Sequence, residues 1–249
     1  MKNIISTLLN TPFSDVFCPS PKGRTSENSP PFRVRGKANF QLLVVSIRAA
    51  IILSFILFGA GRLHADSPIT STAFYSAYYE NAIVVKAHTD GVINDSIADD
   101  LLNDKVAIDV KAAIINALSW NIDGKQNATL LMPYIQKKYK TSGEPDIKIL
   151  SADDLFCLGY LTIMDNYFQT DKPLQLLALA RQKKPKSYTV NIILALVEAQ
   201  KAMDTDFCRV YKICEEVRKN YSLTQDMKMD ALNIIFGYIA DYKEYCNGK

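Results

Sequence analysis

The sequence predicts an all-α protein, an array of antiparallel helix hairpins close to a short α-solenoid, behind an N-terminal signal or anchor segment. Three observations carry this. Of ten Pro, five fall in the first 31 residues, and Gly also numbers ten, so turn punctuation is too sparse for many short strands. Apolar residues recur at spacings of three and four, and no run alternates long enough to make a strand. Helix start signals recur at regular intervals over 69–246.

Length and composition set the bounds. The 249 residues, 48% hydrophobic and 22% charged, suffice for one or two domains with a sizeable core. They exclude a largely disordered chain, a collagen-like chain and a multi-span membrane protein. Residues 1–65 hold eight Lys/Arg and two acids, whereas residues 66–249 hold 21 basic and 24 acidic groups. The basic balance therefore belongs to the leader, and no nucleic-acid partner is expected for the domain.

The leader comes first. Residues 1–38 carry Pro12, Pro19, Pro21, Pro30 and Pro31 with Arg24, Arg33, Arg35 and Lys37, a composition that cannot offset chain entropy and reads as disordered. Residues 39–65 read as a signal peptide. Ala49–Ala60 is an uncharged run of 12 flanked by Arg48, and Ala65 is an acceptable last residue before cleavage. The alternative is an uncleaved anchor, with Arg48 snorkelling and Phe40–Gly59 spanning the membrane. A membrane partner is expected only in that case; otherwise the protein is periplasmic or secreted.

Residues 66–249 read as a single repeat-like domain. The expected helices are 71–88, 95–103, 105–120, 126–140, 152–168, 173–183, 188–203, 205–219 and 223–245. Ser151 with Asp153 and Asp154 starts one helix, Pro173 sits in the first turn of another, and Ser187 precedes a long apolar run. Asp204 and Asp206 precede Phe207, and Ser222-x-x-Gln225 has the form of a capping box. Val106–Leu118 and Val190–Val197 are apolar nearly all round, which places them in the middle of the fold. Pro133 predicts a kink or a late start in its helix. Lys148-Ile149-Leu150 is at most a strand stub.

Cys157, Cys208, Cys214 and Cys246 follow the leader, which carries Cys18. Two disulfides in any of three connectivities, or buried unpaired thiols, are both open. Cys208 and Cys214 stand six apart on one helix, about 120° out of alignment, and cannot bridge each other.

Gly159, Leu177, Ala180 and Pro185 follow the order of small, large apolar, small and proline positions, and Ala117, Trp120, Gly124 and Ala128 make an earlier small–aromatic–Gly–Ala unit. In this the chain resembles tetratricopeptide (TPR) repeats, in degenerate form, over residues 105–220. The resemblance implies a helix-hairpin array whose concave face binds a partner without catalysis. Independently of any family, Ala and Gly let two helix backbones approach closely.

Chemistry-bearing constellations are scarce. His88 is the one His after the leader and precedes Gly91, which suits a charge at a helix C-terminus before a glycine cap. Ser–His–acid catalysis and a His-containing zinc site would both need more. No Cys-x-x-Cys, phosphate loop or dinucleotide fingerprint occurs, and no cofactor or metal is expected. The acid pairs Asp99-Asp100 and Glu215-Glu216 read as solvated faces, and Arg181–Lys186 as a basic turn. Asn94, Asn127 and Asn220 begin sequons. All 13 Tyr follow residue 65, with Tyr75, Tyr78 and Tyr79 clustered, which fits helix joints or a recognition face.

The function expected is an exported, non-catalytic protein- or ligand-binding or scaffold module, with a protein or peptide partner. Its groove is expected to be lined by Lys111, Asn116, Trp120, Tyr134 and Tyr160, the polar or aromatic interruptions on apolar helices. The alternatives are a carboxylate-dependent enzyme built on Asp165, and a membrane-tethered structural subunit.

Overall fold

The computed structural model describes residues 67–120 and 124–247. The leader 1–38, the apolar segment 39–65 and Cys18 lie outside the described residues. Within them the chain is all-helical. A 3-10 helix, Phe74–Tyr78, precedes α1 (Ala82–Asp90), α2 (Asp95–Leu102), α3 (Ile108–Leu118), α4 (Asn127–Tyr139) and α5 (Ala152–Asp165). Then come α6 (Asp171–Lys183), α7 (Tyr188–Ala202), α8 (Phe207–Arg218), α9 (Met229–Ile239) and a closing 3-10 helix, Ala240–Cys246. Among the described residues there is no strand, only a parallel bridge between Ser187 and Thr224.

Local caps set most helix starts. Ser151 Oγ accepts the Asp154 N–H at 3.1 Å, and Ser187 Oγ accepts that of Val190 at 3.2 Å. Asp206 caps α8 through Arg209 N–H at 3.0 Å. Gly91, with φ of +63°, ends α1 by donating its N–H to the Ala87 carbonyl, and His88 lies in that last turn. Pro133 lies inside α4, which runs from Asn127 with neither a late start nor an interruption.

Two expected helices are shorter than their apolar patterns. The first splits because Asn81 caps α1, its Oδ1 accepting the Ile83 N–H at 3.2 Å. The last starts at Met229 rather than 223. Thr224 exchanges backbone bonds with Lys186 and Tyr188, and Asp226 Oδ1 accepts the Thr189 N–H at 2.8 Å. Segment 223–228 is thus extended along the start of α7, and the Ser222/Gln225 capping box does not form. Ser222 Oγ bonds Asn220 instead.

The all-round apolar segments are interior, as their patterns require. Lys111–Leu118 of α3 and Ile192–Val197 of α7 are buried without exception. Helices α5 and α6 pack against each other, with Gly159 at their contact. A Cβ there would come within 2.9 Å of Leu177 Cγ and 3.0 Å of Leu176 Cβ. Further pairs are α1 with α3, α4 with α5 and α7 with α8.

The N-terminal strap, residues 67–80, departs from an open stack. Ser67 Oγ bonds Gln200 of α7, and the Thr72 carbonyl and Tyr75 N–H both bond Asn116 of α3. Tyr78 Oη donates to Asp109 at 2.9 Å and accepts the Lys228 N–H at 3.2 Å. The start of the described chain is packed against its end, whereas repeats in an open solenoid touch only their neighbours.

The cysteines divide. Cys208 and Cys246 form a disulfide, with Cα atoms 4.7 Å apart, that fastens the closing 3-10 helix to α8. Cys157 and Cys214 are free and buried.

Candidate functional site

A cleft of about 850 Å³ lies where the start of α4, the end of α5, the 166–170 turn, the start of α6 and the end of α7 meet. Ala128, Met132 and Leu158 supply apolar lining, and Phe168 joins them although the residue is 74% exposed. Lys125, Lys172 and Lys201 share the cleft with Asp165, Asp171 and Asp204. Lys201 pairs with Asp171 at 2.7 Å and Lys172 with Glu144 at 3.4 Å, while Asp204 has no ion pair among the described residues. Just behind Phe168, the Tyr167 ring packs edge-on against Trp120 at 5.2 Å.

Asp165 lines this cleft, and its local job is structural. Gln126, at the cap position of α4, supplies no side-chain bond. Asp165 does so from another helix: Oδ1 accepts the Asn127 N–H at 3.0 Å and Oδ2 the Ala128 N–H at 2.8 Å. Burial pushes its carboxyl pKa up, against the pull of those two N–H groups and of Lys125. Gly124, at φ +75°, lets the chain pass, because a Cβ there would sit 3.0 Å from the Asp165 carbonyl. Lys125 Nζ donates to the Gly91 and Leu118 carbonyls at 3.0 and 2.5 Å, and burial lowers its pKa. Each oxygen of Asp165 thus holds one backbone N–H at the start of α4, which accounts for this acid as a helix cap supplied from another helix.

The other expected groove residues are not brought together. Lys111 and Tyr160 are fully buried and Asn116 is 4% exposed. Asn116 Nδ2 donates to Tyr160 Oη at 3.2 Å, inside the core beneath the strap. Lys111 belongs to a separate ionic cluster at the start of α5, with Asp153 at 3.3 Å, and Asp153 also takes Lys184 at 2.5 Å. Next to it, Asp154 accepts from Ser151 Oγ, Tyr139 Oη and Lys138 Nζ. The acid pair Asp153-Asp154 is therefore more than a helix-start signal: it neutralises lysines from α3, α4 and the turn that follows α6, where the expected basic turn 181–186 is helical up to Lys183. Tyr134 is half-buried, bonds Asp95 at 2.5 Å and lines a different cavity, between α2 and α4. Trp120 does not line the main cleft and packs instead on Tyr167, the chain neighbour of Phe168.

The Tyr75–Tyr79–His88 group is a surface aromatic cluster, with the Tyr75 and His88 rings stacked at 4.9 Å. Asn127 is buried and bonded on both amide atoms, and Asn94 caps α2, which leaves Asn220 as the sequon on an exposed loop. Phe168 and Lys201 of the cleft carry no sequence signal of their own, and Asp204 carries only that of a helix start. They reach one place because α6 folds back on α5 and α7 follows it.

Among the described residues, no group of three or more His, Cys, Asp or Glu is placed to hold a metal ion. No helix among them is long and apolar enough to cross a membrane. Comparisons of the chain with family profiles, with curated proteins and with solved structures return no match.

Proposed function

We propose that this protein is an exported, non-catalytic binding or scaffold module, a TPR-like array of helix hairpins closed by its N-terminal strap. Its docking site is the α4–α7 cleft, and its occupant is a segment of a protein or peptide partner. The observation that carries this reading is the pairing of Phe168 with the cleft. A large apolar side chain left mostly exposed above an apolar surface, and ringed by charges of both signs, has the make-up of a recognition site. The tied carboxylate of Asp165 argues against the reading as a carboxylate-dependent enzyme. The Gly159 contact between α5 and α6 is what a small-residue hairpin position requires.

Export rests on the 12-residue apolar run and on Ala65. Two structural features agree with it. The Cys208–Cys246 disulfide suits an oxidising compartment. Removal of a leader after Ala65 would also leave the whole strap, whose Ile69, Phe74 and Tyr78 are buried in the core.

The test is photocrosslinking in the native host. A photoreactive phenylalanine analogue replaces Phe168 in one variant and Ile149, exposed but outside the cleft, in another. A discrete adduct from position 168 alone, lost when Asp204→Lys alters the cleft charge, is the expected result. Absence of an adduct at 168, or equal adducts at both positions, would sink the reading.

A further inference from the structure

A separate cavity of about 420 Å³ opens between α8, the 219–228 connection and α9. It contains an unmet hydrogen-bonding group. Glu215 Oε2 is buried and has no hydrogen-bond partner among the described residues. Its ion-pair partner Arg218 Nη1 stands off at 3.5 Å, and Lys219 Nζ lies 3.4 Å from the other carboxylate oxygen. These three residues, at i, i+3 and i+4, share one face of α8. A buried acceptor left without a donor is uncommon in a folded protein and asks for an explanation.

The surroundings narrow the chemistry. Arg218 lies over the Phe236 ring at 5.2 Å, and its side chain is 56% exposed, so it is free to turn from Glu215 toward a ligand. Met229, Leu232 and Phe236 line the space, and Met229 is held exposed. Tyr188 also lines it, and burial pushes its hydroxyl pKa up to about 12, so it remains a neutral donor. A ligand carrying only positive charge would meet Arg218 and Lys219. A ligand carrying only negative charge would meet Glu215 and leave Oε2 without a donor. A zwitterion with an apolar side chain satisfies both demands, and the volume is at the small end of ligand cavities.

We propose that this cavity binds a free apolar α-amino acid. Its ammonium donates to Glu215 Oε2, its carboxylate takes Arg218 and Lys219, and its side chain packs on Met229, Leu232 and Phe236. The site is independent of the α4–α7 cleft and stands or falls without it.

Isothermal titration calorimetry of the purified protein tests this with L-leucine, L-phenylalanine, leucinamide and N-acetyl-leucine. The two amino acids are expected to bind saturably. Leucinamide, lacking the carboxylate, and N-acetyl-leucine, lacking the ammonium, are expected to bind at least about tenfold more weakly. Glu215→Gln and Arg218→Gln should each weaken leucine by at least about tenfold, and Lys212→Ala, on α8 but outside the cavity, should not. Circular dichroism checks that each variant is folded, and the ligand series is read on the unaltered protein. No saturable binding at about 10 mM amino acid would overturn the proposal. So would N-acetyl-leucine or leucinamide binding as tightly as leucine.

Discussion

Lys111 is a charged side chain with no exposure at all, held by Asp153 at 3.3 Å. Its two possible disruptions are unequal. Asp153→Ala strands the Lys111 ammonium in the interior, and breaking a buried pair in this way costs about 3–5 kcal/mol. Lys111→Met leaves Asp153 with Lys184, whose side chain is 42% exposed, and replaces the lysine stem with an apolar one of similar shape. That variant is expected to cost less than about 2 kcal/mol. Urea unfolding midpoints at constant slope would rank them. A reversed order would mean that the Lys111 charge, and not its burial, sets the energetics. The sequence marked Lys111, Asn116 and Tyr160 as interruptions on apolar helices, and that much was legible. Which way each pointed was not, because a polar residue on an all-round apolar helix can face a groove or a buried partner. The partners, Asp153 for Lys111 and Thr72 for Asn116, lie more than 40 residues away.

At the scale of the element, most helix positions were legible because their causes are local. Ser151, Ser187 and Asp206 cap helices that start within two residues of where their own signals place them. Ser222 failed for a non-local reason: segment 223–228 finds better partners at Lys186, Tyr188 and Thr189 than a helical turn would supply. Asp165 was hidden likewise. It caps α4 from 37 and 38 residues away, and no spacing rule reaches that far. Gly159 is the legible opposite case, a small residue whose value is the approach of α6. Gly159→Ala adds a Cβ only 2.9 Å from Leu177 Cγ. Helix propensity favours alanine there by about 1 kcal/mol, while overpacking a filled contact costs about 1–3 kcal/mol. The net expectation is destabilisation, read as a lowered thermal midpoint. A raised midpoint would mean that Leu176 and Leu177 repack at no cost and that the α5–α6 contact is not tight.

At the scale of the whole molecule, closure by the strap decides how the protein unfolds. In an open array, neighbouring units can unravel from either end, since each is stabilised only by the next. Here Tyr78 joins the strap to α3 and to the start of α9, and Ser67 joins it to α7, so the ends cannot loosen independently. One cooperative transition is expected, with far-ultraviolet circular dichroism and Trp120 fluorescence coincident. Trp120 is the single tryptophan, which makes the fluorescence a clean local probe. Asn116→Ala removes the bonds to the Thr72 carbonyl and the Tyr75 N–H and leaves both strap groups unmet in a buried setting. It should cost about 2–4 kcal/mol, each unmet group counting about 1–2. A chain starting at Tyr79 lacks Ile69, Phe74 and Tyr78 altogether. Its two probes should separate, because α3, α7 and α9 lose their common cover while the α5–α6 pair keeps its own contacts. If that shortened chain still unfolds in one transition at an unchanged midpoint, the strap is a passenger and the helices are an open array after all.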